Sequence, residues 1–367
     1  MKVPFVDLSA QYRAHQSEID TAIRSVIETT SFIGGRFVKE FEEAYAREYG
    51  VKHCVSVANG TDAIYIVLRM LGIGPGDEVI TTAHSWFSTS ETIGQTGATP
   101  VFVDVDEFFN IDPEQIERAI TPRTRAVIPV HLYGQAARIS RIMEICGRHG
   151  LQVIEDCAQS HFSAHAGRRV GTFGVAGTFS FYPGKNLGAY GDAGAIVTND
   201  DDLASRCRMF ANHGQLKKHE HQIEGINSRL DGMQAAVLSA KLPHIHEWTL
   251  RRQAVADLYV RALDGIPGLE LPRCAPDSTH VYHLYVIRVP DRGGLQESLR
   301  QRGIETGIHY PTALPFLAAY RSRDHRSDQY PRAHRNQDQI LSLPMYPEMT
   351  AEMVQYVADS IRAFYRS

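Results

Sequence analysis

"HCVSVANGTDAIYIVLRMLGIGPGDEVITT", residues 53–82, holds the unit from which the fold is read. "HCVSV" (53–57) and "EVITT" (78–82) are short β-rich runs, the composition of buried strands. Between them Ala63, Ile64, Val67, Leu68 and Leu71 recur at helical spacing. A helix crossing between buried strands predicts an α/β sheet that is mostly parallel. The pattern repeats outward: "PVFVDV" (100–105), "RAVIPV" (125–130) and "LQVIED" (151–156) read as strands, and Ile139, Ile142, Met143 and Cys146 place a further helix. Upstream, Ile19, Ile23, Val26 and Ile27 make one amphipathic helix, and Phe41, Ala44, Tyr45 and Glu48 a second, closed by Gly50. After residue 245 the texture changes to a long helix (about 246–263), a strand "HVYHLYVIRV" (280–289) and "LQESLRQRG" (295–303). We read residues 1–245 as a large domain and 246–367 as a smaller α+β domain.

The whole chain narrows the function classes. Its 367 residues, 43% hydrophobic and 22% charged, supply a sizeable core. A net charge of −4 and a pI near 6.5 lack the basic stripe of a nucleic-acid binder. Five cysteines, odd in number and without a C-x-x-C pair, read as free thiols of a reducing cytosol. No apolar run approaches a membrane span, and "MKVPFVDLSAQY" has no signal-like apolar segment. A cytoplasmic protein without a membrane partner is expected.

"FSFYPGKNLGAYGDAGAIVTND" (179–200) carries a single lysine, Lys185, among glycines and apolar residues. As a phosphate loop it fails twice, since Phe179 stands where the first glycine belongs and Asn186 follows the lysine. "GIGPGDEV" (72–79) imitates a dinucleotide fingerprint but leaves a helix and enters a strand, the reverse of the required order. The histidines of "KKHEHQ" and "HIHEW" lack a third ligand nearby, so no metal is expected.

A nucleophilic lysine finds support elsewhere. Asp156, in "VIEDCAQSH", ends a buried strand, where ligands bind in open α/β sheets. A carboxylate buried there needs a cationic partner. The protonated ring nitrogen of pyridoxal 5'-phosphate is one, worth about 4 kcal/mol at ~4 Å and an effective dielectric near 20. "SVANGTDAIYIVL" runs strand, turn, helix, so free N–H groups face the turn as a phosphate cup, joined by the hydroxyls of Thr61 and Ser180. Trp86, just past a strand end, offers an indole to stack on the ring. Each part alone also reads as an ordinary turn, cap, loop charge or core aromatic. Their joint order, each at a strand-to-loop junction, makes them one site.

These segments, with "VPFVDLSAQYRAHQSEID", "GINSRLDGMQAAVLSAKL", "HVYHLYVI" and "ILSLPMYPEMT", resemble blocks of the DegT/DnrJ/EryC1/StrS family of pyridoxal-phosphate-dependent sugar aminotransferases over nearly the whole chain. The resemblance implies an aspartate-aminotransferase-like (type I) fold and a homodimer with active sites at the subunit interface. It implies that Lys185 bonds the cofactor covalently, Asp156 holds the pyridine nitrogen, Gln159 lies near the 3-hydroxyl and Trp86 stacks. Gly60, Thr61 and Ser180 would hold the phosphate, with Asn227 reaching the phosphate of the partner subunit's cofactor. His161, His309 and Tyr310 are carried over to the sugar side. Some members have histidine at the lysine position and act as dehydratases, so Lys185 favours transamination. The implied reaction moves an amino group from L-glutamate to a keto group, at C3, of a dTDP-linked 6-deoxyhexose. The alternatives are a 4-keto nucleotide sugar, a non-nucleotide keto sugar or cyclitol, and a non-catalytic sensor or regulator of the same fold. "GIHYPTALPFLAAY" departs from the family pattern at Pro315, Phe316 and Leu317, in a loop expected to touch substrate.

Overall fold

Both faces of the predicted sheet must be covered if its strands are apolar throughout, and they are. The computed structural model describes residues 1–366. Its first strands are β1 (His53–Val57), β2 (Glu78–Thr82), β3 (Thr99–Val103), β4 (Thr124–Ile128) and β5 (Gln152–Asp156). The two-residue strands β6 (Ala164–His165) and β7 (Arg168–Arg169) pair only with each other, and β8 (Ala176–Ser180) and β9 (Gly194–Thr198) complete the sheet. The order is β1-β9-β8-β5-β4-β2-β3, parallel throughout except for β9, which runs against both neighbours. Consecutive strand residues point to opposite faces. Thus Val153 joins Ile80, Val127 and Ile142 in one apolar layer, while Ile154 joins Val55, Ile64 and Val67 in another. Phe179 of β8 packs with Phe41, Tyr45, Phe181 and Trp248, and truncating such a ring costs about 3–5 kcal/mol.

Two helix ends show the local chemistry. The helix Arg36–Tyr49 stops at Gly50, whose φ of 69° is the left-handed conformation that glycine adopts without strain. The helix Gly60–Met70 starts at Asn59, whose Oδ1 accepts the Asp62 N–H at 2.8 Å.

A second core gathers Tyr259, Tyr285, Ile287, Leu299, Leu341, Leu343, Val357 and Ile361 around the antiparallel pair β10 (Tyr285–Arg288) and β11 (Ile340–Leu343). Val3, at the other end of the chain, lies in this core, its N–H donating to the Gly303 carbonyl at 2.9 Å. "HVYHLYVIRV" is not one strand: only 285–288 pair with β11. The N–H groups of Val281 and Leu284 donate instead to the carbonyls of Gly134 and Tyr133, at 2.8 and 3.2 Å. That diversion ties the second core to the first sheet and brings residues 283 and 284 to the cavity between them. No helix among the described residues is long and apolar enough to cross a membrane.

Candidate active site

The carboxyl ends of β1, β2, β4, β5 and β8 all lie on one edge of the sheet, because these strands run in one direction. There they open onto a cavity of about 580 Å³. Gly60, Thr61, Trp86, Asp156, Gln159, Ser180 and Lys185 line it from the first sheet. His309 and Tyr310, with Phe5, His283 and Met345, close it from the second core. Nine of the eleven residues assigned from sequence therefore meet in one place.

Asp156 is buried at the end of β5. Its Oδ2 accepts the Thr89 hydroxyl at 2.9 Å and its Oδ1 the Ala158 N–H at 3.1 Å. A carboxylate has about four acceptor positions, so half its capacity is left for a donor from the cavity. Burial pushes its pKa above the usual carboxylate range, against those two hydrogen bonds and the charge of Lys185. A cationic N–H ligand would relieve that desolvation, so the site fits a pyridinium nitrogen. The neighbouring Glu155 turns to the opposite side. It accepts the N–H groups of Gly171, Phe173 and Gly174 at 2.7–2.8 Å. His131 completes its shell at 3.1 Å; the Ala137 N–H donates to His131 Nδ1, so Nε2 carries the proton given to Glu155.

Lys185 follows a tight loop in which its N–H donates to the Tyr182 carbonyl at 2.8 Å. Among the described residues its Nζ has no hydrogen-bond partner. Burial lowers its pKa to about 8, with Asp156 opposing. A second lysine, Lys241, braces the same loop from behind. It is 1% exposed, its Nζ donates to the Gly188 carbonyl at 2.8 Å and stands 4.2 Å from the Tyr190 ring centroid, and burial lowers its pKa to about 8 as well.

The anion cup has a clear construction. The first N–H groups of the helix Gly60–Met70 have no partners within the helix. A side chain at 60 would place its Cβ 2.7 Å from Ser180 Cβ, so glycine lets the helix start touch the end of β8. The Thr61 hydroxyl lies 2.6 Å from the Ser88 hydroxyl, giving paired groups beside those N–H donors. Trp86 stands 58% exposed over the cavity, its ring centroid 5.4 Å from that of Tyr310. Gln159 accepts the Tyr133 N–H at 2.7 Å and donates to the Tyr310 hydroxyl at 2.9 Å, joining the two sides of the cavity.

Two assigned residues lie elsewhere. His161 is buried and does not line the cavity: Nε2 donates to the Ser180 carbonyl and Nδ1 accepts the Tyr45 hydroxyl, both at 2.9 Å. Burial lowers its pKa to about 3, so it is a neutral strut beneath Ser180. Asn227 is exposed, bridges Asn212 and lines no part of this chain's cavity. The segment bearing Pro315, Phe316 and Leu317 also stays out of the cavity. It packs with Phe102, Tyr320 and Tyr330, so its departure from the family pattern falls in a packed cluster.

Sequence reasoning misses Ser88, Thr89, His283 and Phe5. Thr89 sits three residues after Trp86 in "AHSWFSTS", and that helical spacing is the one signal that points to it. It also misses the partners of His244 in "HIHEW": the fold supplies His15 and Glu18 from the first helix, which proximity in sequence does not reveal.

Comparison with known proteins agrees with this geometry. The model of the DegT/DnrJ/EryC1/StrS aminotransferase family matches residues 13–362. The chain is 47% identical to a "pleiotropic regulatory protein" of Geobacillus stearothermophilus, over 100% of this chain and 99% of that one. It is 44% identical to the dTDP-3-amino-3,4,6-trideoxy-alpha-D-glucose transaminase of Streptomyces venezuelae, over 98% and 96% of the two chains. The crystal structure of S. venezuelae DesV in complex with a ketimine intermediate superposes with a TM-score of 0.97 at 43% identity, covering 100% of this chain and 99% of that one. A match of this extent, over a fold whose strand ends converge on one lysine, has one reading: the chain belongs to the DegT/DnrJ/EryC1/StrS aminotransferase family and is a transaminase that uses pyridoxal 5'-phosphate.

Proposed function

We propose that the protein transfers an amino group from L-glutamate to the C3 ketone of a dTDP-linked 6-deoxyhexose, working as a homodimer in the cytoplasm. The observation that carries the reading is Lys185, an amine without a hydrogen-bond partner among the described residues, with its pKa lowered to about 8, in the same cavity as the buried Asp156. Pyridoxal phosphate, when bound, supplies the electron sink. Asp156 would hold a proton on the ring nitrogen, and Gln159 and Trp86, which line the same cavity, would hold the ring. The N–H groups of Gly60 and Thr61, with the hydroxyls of Thr61 and Ser180, bind the phosphate. Lys185 Nζ, partly unprotonated near neutral pH, is the covalent anchor and then the base that takes a proton from the amino donor's α-carbon. His309 and Tyr310 face the sugar. Asn227 would reach the phosphate of the partner subunit's cofactor, so that each subunit completes the other's site.

The choice of C3 and of dTDP rests on the S. venezuelae transaminase, aligned over 98% of this chain. A C4 ketone is the second reading for the reaction. The regulatory name of the Geobacillus relative is what supports the sensor reading. One assay separates them all: purified protein is given glutamate, then a panel of dTDP-, UDP- and GDP-linked 3-keto and 4-keto sugars. Glutamate should convert the bound cofactor's absorption to that of its amine form, and a dTDP-linked 3-keto sugar should reverse it. No response to glutamate favours a sensor, and reversal only by 4-keto sugars moves the ketone to C4.

A further inference from the structure

Outside the cavity, the helix Leu8–Glu28 loses helical geometry at a single residue, His15, with φ −124° and ψ 21°. The His15 imidazole lies against that of His244, the ring centroids 4.0 Å apart. Glu18, one turn further on the same helix, reaches both: its Oε2 is 2.8 Å from His244 Nε2 and its Oε1 3.9 Å from His15 Nδ1. One donor atom from each residue lies within 4.8 Å of the others. Trp248 backs the cluster, its ring centroid 5.3 Å from that of His15 and 5.9 Å from that of His244.

We propose that His15, Glu18 and His244 bind a divalent transition-metal ion of the zinc or nickel kind. Two imidazole nitrogens and one carboxylate oxygen, with a fourth position open to water, form a donor set that suits these ions. A tetrahedral ion with bonds of about 2.0–2.1 Å holds its donors about 3.3 Å apart. The 2.8 and 3.9 Å separations are made to different oxygens of Glu18, and one donor atom from each of the three residues lies within 4.8 Å of the others, so rotation of the three side chains must bring them to that spacing. A hydrogen bond between Glu18 and His244 is the simpler account of those two residues. It leaves His15 unexplained, since that ring is turned against another imidazole at a break in its helix, with Glu18 3.9 Å from its Nδ1, beyond hydrogen-bond reach. Glu247 and Arg251 flank the cluster but pair with each other.

The ion would join distant parts of the chain. His244 ends the 3-10 turn Leu242–His244, which links the helix Gly232–Lys241 to the helix Ile245–Leu263. A metal there ties the first helix to the junction from which the second core begins.

The test titrates ZnCl₂, and separately NiCl₂, into the cofactor-loaded enzyme by calorimetry, comparing wild type with His15→Gln, Glu18→Gln and His244→Gln. One ion per chain is expected, with affinity at least tenfold weaker in each variant. Circular dichroism and retained cofactor absorption establish that the variants are folded. His309→Gln, a change in the cavity, should leave this binding intact. Co²⁺ supplies a second reading, since visible bands of a tetrahedral ion should appear in wild type and vanish in His244→Gln. Equal binding by wild type and His244→Gln overturns the proposal, as does the absence of saturable binding up to about 1 mM metal, where affinity falls to roughly 4 kcal/mol.

Discussion

The two sides of the cavity are built differently. The side from the seven-stranded sheet places Asp156 and Ser180 at strand ends and Gly60 at a helix start, with Lys185 in the tight loop that follows β8. The side from the second core is irregular chain bearing His283, His309 and Tyr310, with Phe5 from near the start of the chain. Regular elements fix positions closely, as covalent and proton-transfer chemistry demands. Irregular segments vary at little cost to the core, as substrate choice demands. Under the proposed reaction, the comparison gives the chemistry to the sheet side and sugar recognition to the other.

Mutations on the sheet side should have the largest effects. Lys185→Ala removes anchor and base together, and the glutamate half-reaction should slow by about 10⁴-fold or more in single-turnover absorbance assays, with Tm little changed. Asp156→Asn should slow it by roughly 10³-fold, the equivalent of an ion pair of about 4 kcal/mol. The wild-type half-reaction should itself depend on pH. Because burial holds Lys185 at about 8, the unprotonated amine is lost as pH falls below that value. The rate should then drop about tenfold per unit and level off above it. A flat profile from pH 6 to 9 would take the role of base away from Lys185.

The opposite side should respond in another parameter. His309 is neutral at working pH, since burial lowers its pKa to about 4, and its Nδ1 lies 2.8 Å from the Ser342 hydroxyl. His309→Ala should raise KM for the keto sugar about tenfold, the loss of one hydrogen bond, and change the glutamate half-reaction by less than about threefold. Equal effects on both half-reactions would erase the division between the sides. The smallest functional change is expected from Phe316→Ala, which trims a half-buried ring outside the cavity. It should cost about 1–3 kcal/mol in stability without altering the choice among keto sugars.

The same division decides what is legible in the sequence. Buried strands announce themselves by composition, so their ends can be located from the residues alone, and Asp156 and Trp86 with them. Thr89 escapes notice because its hydroxyl matters only through Asp156, a contact across 67 positions. "HVYHLYVIRV" reads as one strand because periodicity reports burial and not the pairing partner, and two of its N–H groups, those of Val281 and Leu284, donate to residues 134 and 133 instead. His161 is drawn to the sugar side by its functional neighbours, yet Tyr45 and the Ser180 carbonyl use both ring nitrogens. The partnership of His15 with His244 spans most of the chain and leaves no local pattern.

Lys241 carries a consequence for chemical labelling. Two lysines have amines whose pKa values are lowered to about 8, so both are better nucleophiles toward acylating reagents at neutral pH than an ordinary surface lysine. Only one can be reached. Lys185 opens onto the cavity, whereas Lys241 is sealed behind the loop whose carbonyl it holds. A small amine-selective reagent at low dose should modify cofactor-free protein at Lys185 and spare Lys241. Modification of Lys241 by the same reagent would report that the loop 182–191 has lifted from its seat, and its rate would measure how often that occurs.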